Sequence, residues 1–97
     1  MKVFISQPMN GKTLEEIESD RADIIKRIAP FLGEFEVFDS VFKDYEPKNG
    51  NIALKYLSKA LELLADADVV VFGEGWEDAR GCRIEHACAK EYGIRIL

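Results

Sequence analysis

The sequence predicts one α/β domain, a three-layer sandwich in which helices cover both faces of a short parallel sheet of strand order 2-1-3-4, in the flavodoxin- or Rossmann-like manner. Three observations carry this. Short apolar runs alternate with segments of helical period along the chain, which is the pattern of right-handed β-α-β crossovers and therefore of a parallel sheet. One run, Asp68-Val69-Val70-Val71-Phe72, is unbroken rather than alternating, as in a strand covered on both faces, so it is expected to be internal. Finally, 97 residues with 47% hydrophobic and 10% aromatic content suffice to close one core without staples. No repeat or linker divides the chain, and residues 1–97 read as a single domain.

Each element has its own signal. KVFIS at 2–6 is a strand ended by Gln7-Pro8-Met9-Asn10-Gly11, where Pro and Asn-Gly mark a turn. Thr13 with Glu16 makes a capping box. Leu14, Ile17, Ile24, Ile25 and Ile28 then recur at helical spacing until Pro30 and Gly33, so the first helix is expected over about 13–29. FEVF at 35–38 is the second strand, and 41–50, with Pro47 and Asn49-Gly50 and no period, is a loop. From Asn51 to Leu64 the period is helical again, but apolar residues cover more than the usual stripe, and only Lys55, Ser58, Lys59 and Glu62 are expected to face water. That excess predicts self-association, a dimer being favoured, through the helix at 51–64. Gly73 to Asp78 is a loop, about 79–92 a helix stopped by Gly93, and IRIL at 94–97 the last strand.

Composition narrows the partners. A net charge of −5 with no Lys/Arg stripe argues against a nucleic-acid polymer. No run of eighteen apolar residues and no leader-like start are present, so neither a membrane nor export is expected, and the predicted location is cytoplasmic. Cys82 and Cys88, six apart on one helix, point about 240° away from each other and cannot bridge. They read as small buried hydrophobes in a reducing compartment. With one histidine and no CxxC pair, no metal and no cofactor are expected.

Chemistry is expected where the first and third strands run into their loops, since ligands of open α/β sheets bind outside the carboxyl ends of the strands. In the first loop Asn10 and Gly11 let backbone amides approach a ligand, and the following helix N-terminus favours a phosphate or sugar oxygen; a plain turn is the alternative. In the second, Glu85 has helical neighbours Gly81, Cys82, Cys88, Ala89 and Tyr92, a face with small residues and no partner charge. Gly81 and Cys82 clear space there, and the nearby helix N-terminus is expected to keep the carboxylate ionised. Such a carboxylate suits attack at a sugar carbon; a solvated helix glutamate is the alternative reading. Arg80 and Arg83 oppose the macrodipole, a conflict that an anionic ligand, or Glu74, Glu77 and Asp78, would relieve. Trp76 either stacks on a planar base or folds back onto the core, and His86 reads as a packing or surface residue.

The stretches KVFISQPMNG, ADADVVVFGEGW and ARGCRIEHACAKEYGI together resemble a small phage and bacterial domain family that belongs with the nucleoside 2-deoxyribosyltransferases. The Gly75-Trp76, Arg80-Gly81 and Glu85 pattern is the most specific part, and the resemblance covers nearly the whole chain. It implies a deoxyribosyltransferase-like fold and binding of a nucleoside or nucleotide, with cleavage or exchange of the N-glycosidic bond as the reaction. By the same resemblance Glu85 attacks the anomeric carbon to give a covalent glutamyl-deoxyribose, while Ser6, Gln7, Met9, Asn10 and Gly11, with Gly75, Trp76, Arg80 and Gly81, bind the substrate. Two departures stand out. The transferases carry an acid on the helix before the third strand, where this chain offers Ser58, Lys59 and Ala60. They also hold the glutamate with a polar residue six positions earlier, where this chain has Ala79, with Asp78 next to it as the substitute. The other reading is therefore a nucleotide-binding or sensing module without turnover, or an accessory protein acting through self-association.

Overall fold

Valine, isoleucine and phenylalanine fill the two interior strands, and the rest of the chain is wrapped to cover them. The computed structural model describes all residues 1–97. It places β1 at Lys2–Ser6, α1 at Leu14–Ile28, β2 at Glu36–Val37, α2 at Ile52–Ala65, β3 at Val69–Phe72, α3 at Arg80–Glu91 and β4 at Arg95–Ile96, with short 3₁₀ turns at Ala29–Phe31 and Trp76–Asp78. The sheet order is β2-β1-β3-β4 and every pairing is parallel, as the sequence predicts. β1 and β3 run in register from Val3 opposite Val69 to Ser6 opposite Phe72. The edge strands β2 and β4, two residues each, are shorter than the apolar runs at 35–38 and 94–97.

Strand alternation divides the core into two halves. Val3, Ile5, Val69 and Val71 face Ile24 and Ile28 of α1. Phe4 and Val70 face the other way, onto Leu64 of α2 and Ala89 of α3. This is the three-layer arrangement, with α1 on one face and α2 and α3 on the other. α1 begins as predicted: the Thr13 hydroxyl accepts from the Glu16 N–H and the Glu16 carboxylate accepts from the Thr13 N–H, both at 3.1 Å. Those bonds hold the Glu16 carboxyl below its ordinary range. α3 ends on Gly93, whose φ of +70° suits glycine, and the Ile94 N–H reaches back to the Ala89 carbonyl at 2.9 Å. No helix is long and apolar enough to cross a membrane.

α2 differs from its sequence reading. Lys55 and Lys59, expected in water, are half-buried. The irregular segment 41–50 lies over that side of the helix: the Lys59 ammonium sits 4.9 Å from the Tyr45 ring centre and 5.8 Å from that of Phe42. The Tyr56 hydroxyl donates to the Tyr45 carbonyl at 2.6 Å. Leu64 is buried and Leu57 and Leu61 are half-buried. The large apolar side chains that α2 leaves exposed are Ile52, Leu54 and Tyr56, a smaller surface than the sequence suggests.

Candidate active site at the carboxyl end of β1

The last residue of β1 and the one after it turn their side chains to opposite faces of the sheet. Ser6 points toward α3, where its hydroxyl donates to Glu85 Oε1 at 2.7 Å. Both residues are buried, Ser6 at 2% exposure and Glu85 at 7%. Glu85 Oε2 takes no hydrogen bond from the protein, yet no buried side-chain oxygen is left without a partner, so this atom keeps a path to solvent. The carboxyl therefore has one oxygen fixed and one open. Sequence reasoning found no partner for Glu85 because it examined helical neighbours; the partner lies 79 residues away on another element. Burial pushes the Glu85 carboxyl above its ordinary range, and the Ser6 hydroxyl opposes that only in part. Cys82, one turn earlier, is pushed up by burial and by the Glu85 charge, against a lowering contact with Ser6.

Gln7, expected to bind substrate, faces α1 instead. Its Nε2 donates to the Ile17 carbonyl at 3.0 Å and its Oε1 accepts from Arg21 at 3.4 Å. Arg21 also donates to the Ser40 hydroxyl at 3.1 Å and to the Phe38 carbonyl, while Ser40 donates to the Ile5 carbonyl at 3.4 Å. This network ties the ends of β1 and β2 to α1. Burial lowers the Arg21 pKa, and Asp39 opposes the shift without forming a salt bridge. Neither Arg21 nor Ser40 was singled out from sequence. The signal for Arg21 was present, since it falls four residues after Ile17 and three before Ile24, a charge on the apolar stripe.

The two glycine-containing loops do meet. The Gly73 N–H donates to the Ser6 carbonyl at 2.8 Å, and a Cβ on Gly73 would lie 3.1 Å from Gln7 Cβ and 3.3 Å from Ile24 Cδ1. The hollow between them, about 420 Å³, is lined by Gln7, Pro8, Lys12, Asp20, Gly73 and Glu74 among others and does not include Glu85. It lies on the α1 side of the sheet, whereas Glu85 packs on the α3 side against Ser6, the first residue of the same loop. In the first loop the Lys12 N–H closes a turn onto the Met9 carbonyl at 3.1 Å, and Gly11 has φ +79°; Asn10 and Gly11 are exposed and Met9 is half-buried. The α1 N-terminus is already served by Thr13 and Glu16, so the anion site expected there has an acidic side chain of the protein in place.

After β3, Gly75 adopts φ +82° and leads into the turn that carries Trp76. The indole folds back, stacked on the His86 ring at 4.2 Å and 16° and tilted against Phe72 at 5.2 Å, and remains partly exposed. His86 is a packing residue, edge-on to Phe72 at 4.9 Å. Asp78 is exposed and does not hold Glu85; Ser6 does. The carboxylates of Glu74, Glu77 and Asp78 form no ion pair with Arg80 or Arg83, and Arg83 instead donates to the Glu77 carbonyl at 3.1 Å. Arg80 is exposed, and Gly81 is half-buried with open space above it. No three His, Cys, Asp or Glu side chains gather in a metal-ligating group.

Chemically, the site offers one buried carboxyl, oriented by a hydroxyl and open at its second oxygen, beside a thiol, with His86 on the same helix joined to Phe72 of β3 and Trp76 of the following turn in an aromatic cluster. No curated protein and no solved structure matches the chain. Over residues 1–97 the sequence does match the model of a domain of unknown function, DUF4406, and the chain belongs to that family.

Proposed function

We propose that the chain binds a deoxynucleoside or deoxynucleotide at the carboxyl ends of β1 and β3 and cleaves or exchanges its N-glycosidic bond through Glu85. The observation that carries the reading is the state of that carboxyl, buried, held at Oε1 by Ser6 and free at Oε2. In the reaction, ionised Oε2 attacks the anomeric carbon. The C–N bond breaks and its electron pair leaves with the base, which takes up a proton from water or a nearby acid. Water or a second base then displaces the carboxylate from the sugar ester. Positive charge developing on the sugar carbon offsets the cost of keeping an anion in a buried place, so the carboxylate is stabilised most in the transition state. A nucleophile must be deprotonated, so turnover is expected to rise with pH through the elevated pKa of Glu85 and then level off.

The test is incubation of purified protein with a panel of deoxynucleosides and their 5′-phosphates, with free base followed by chromatography and a sugar adduct by intact mass. Glu85→Gln, nearly isosteric, should abolish both while keeping the fold. Base release by Glu85→Gln at the parent rate removes Glu85 from the mechanism. One observation favours a module that binds without turnover: Ser6 is the sole hydrogen-bond partner of Glu85, and no second carboxylate joins it to protonate a leaving base. That reading expects saturable binding of a panel member with no base released. A dimer formed through the α2 side chains Ile52 and Leu54 belongs to the same proposal. Sedimentation that finds only monomer at micromolar concentration removes it.

A further inference from the structure

On its β2 side, the end of β1 has no strand beside it. The Glu36 and Phe38 N–H groups donate to the Met1 and Val3 carbonyls at 2.8 and 2.9 Å, so the next rung of this parallel ladder would join the Ser40 N–H to the Ile5 carbonyl. No such backbone bond forms, because the chain turns away at Asp39, whose carboxylate accepts from the Val41 N–H at 3.2 Å. The Ser40 hydroxyl takes its place and donates to the Ile5 carbonyl at 3.4 Å. A hydroxyl has one proton to give and rotates unless a donor occupies its oxygen. Arg21 supplies that donor at 3.1 Å, and the same guanidinium donates to the Phe38 carbonyl and, at 3.4 Å, to Gln7 Oε1. One planar fork thus gathers three neutral acceptors from two strand ends. Between its points of attachment lies Ser6: Ile5 before it is held through Ser40, and Gln7 after it directly. Half-buried Arg21 forms no salt bridge, so a cation is kept from water there without a carboxylate to offset the cost.

We propose that Arg21 is a positioning residue for Glu85: its fork replaces the missing strand beside the end of β1, and so aims the Ser6 hydroxyl at the Glu85 carboxyl on the opposite face of the sheet. That the carboxyl does chemistry rests on the function proposed above; that Arg21 governs its orientation does not. Burial and the Ser6 hydroxyl are what shift Glu85, so Arg21 acts on it through contacts and not through its charge. The other charges at hand are Asp39, which acts on Arg21, and the Cys82 thiol of α3, which feels Glu85.

The test is a carbon NMR titration of the Glu85 carboxyl in the parent, Arg21→Met, Arg21→Lys, Ser40→Ala and Ser6→Ala, with thermal melts to show that each is folded. Ser6→Ala removes the hydroxyl and should raise the Glu85 titration midpoint most. Arg21→Met, Arg21→Lys and Ser40→Ala should each raise it less, and none should raise it further when combined with Ser6→Ala. Lysine and Ser40→Ala both leave the positive charge in place, and they keep the test sharp even if Arg21→Met does not fold. A parent midpoint in Arg21→Lys and Ser40→Ala overturns the proposal, as does a shift that persists in full without the Ser6 hydroxyl. If the midpoints move as expected but no deoxynucleoside or deoxynucleotide is bound or cleaved, the proposed function falls and the positioning role stands. Where the parent does turn over a panel member, Arg21→Lys should lower kcat with KM nearly unchanged and move the rising limb of the pH profile to higher pH. An unchanged profile overturns the inference.

Discussion

Replacing Ser6 by alanine removes the one hydroxyl that holds the Glu85 carboxyl, and the size of the effect should depend on pH. The bond is 2.7 Å long between two buried groups, so little water stands ready to replace it. With Glu85 protonated the lost bond joins neutral groups and costs roughly 0.5–1.5 kcal/mol; with Glu85 ionised it is charge-assisted and costs roughly 1.5–3 kcal/mol. Burial raises the folded-state pKa of Glu85 above its unfolded value. Between those two values the folded state holds a proton that the unfolded state has released. The contribution of Glu85 to stability is therefore fullest below the unfolded pKa, falls as pH rises through the folded pKa, and is flat beyond it. Ser6→Ala weakens the charged form, raises the folded pKa further and deepens that fall, whereas Glu85→Gln, which does not titrate, should lack it. Urea denaturation of the three proteins across about pH 4 to 8 measures the difference, and a carbon NMR titration of the Glu85 carboxyl measures the pKa directly. A Ser6→Ala penalty of the same size at both ends of that range, or a Glu85 that titrates at the ordinary glutamate value, would refute the reasoning.

Gly73→Ala would bring a Cβ to 3.1 Å from Gln7 Cβ and 3.3 Å from Ile24 Cδ1, and prying these packed strand ends apart should cost about 1–3 kcal/mol. A urea midpoint equal to that of the parent would show that the contact yields freely. Arg21→Met strips the Gln7 amide oxygen and the Ser40 hydroxyl of their guanidinium partner and should cost about 1–3 kcal/mol. Hydrogen exchange should speed up at the Phe38 N–H, which pairs with the Val3 carbonyl, and Arg21→Lys should not restore it, since one ammonium cannot span three acceptors; full protection in Arg21→Lys would dismiss the geometric role.

The sheet was legible because its signals are local. The unbroken Val69-Val70-Val71 run, the Thr13 to Glu16 capping box and the Gly93 stop each act within a few residues, and the structure follows them closely. Side-chain pairing across elements was not legible, because it depends on register. Nothing near Glu85 in sequence reveals Ser6, and whether Gln7 faces α1 or a ligand follows from strand alternation counted from a register that only the fold supplies. α2 shows the same limit from the other side. Its apolar excess is real, but Leu57, Leu61 and Leu63 are half-buried, and Phe42 and Tyr45, from a segment with no period of its own that pattern reading treats as solvated loop, lie over Lys59. Arg21 is readable in principle, as a charge on a stripe of isoleucines, but one charge does not break the helical pattern and so carries little signal.

The position of Glu85 Oε1 is set by the sheet more than by the helix that bears it. The Ser6 carbonyl is bonded by Gly73, the preceding carbonyl of Ile5 by Ser40, and the following side chain of Gln7 by Ile17 and Arg21, so the Ser6 hydroxyl has little room to drift. α3 has no comparable anchor at its start: its N-cap is Ala79, with no side-chain cap, and Arg83 reaches back only to a backbone carbonyl of the preceding turn. The bond between Ser6 and Glu85 thus fixes the first turns of α3 as much as it orients the carboxyl.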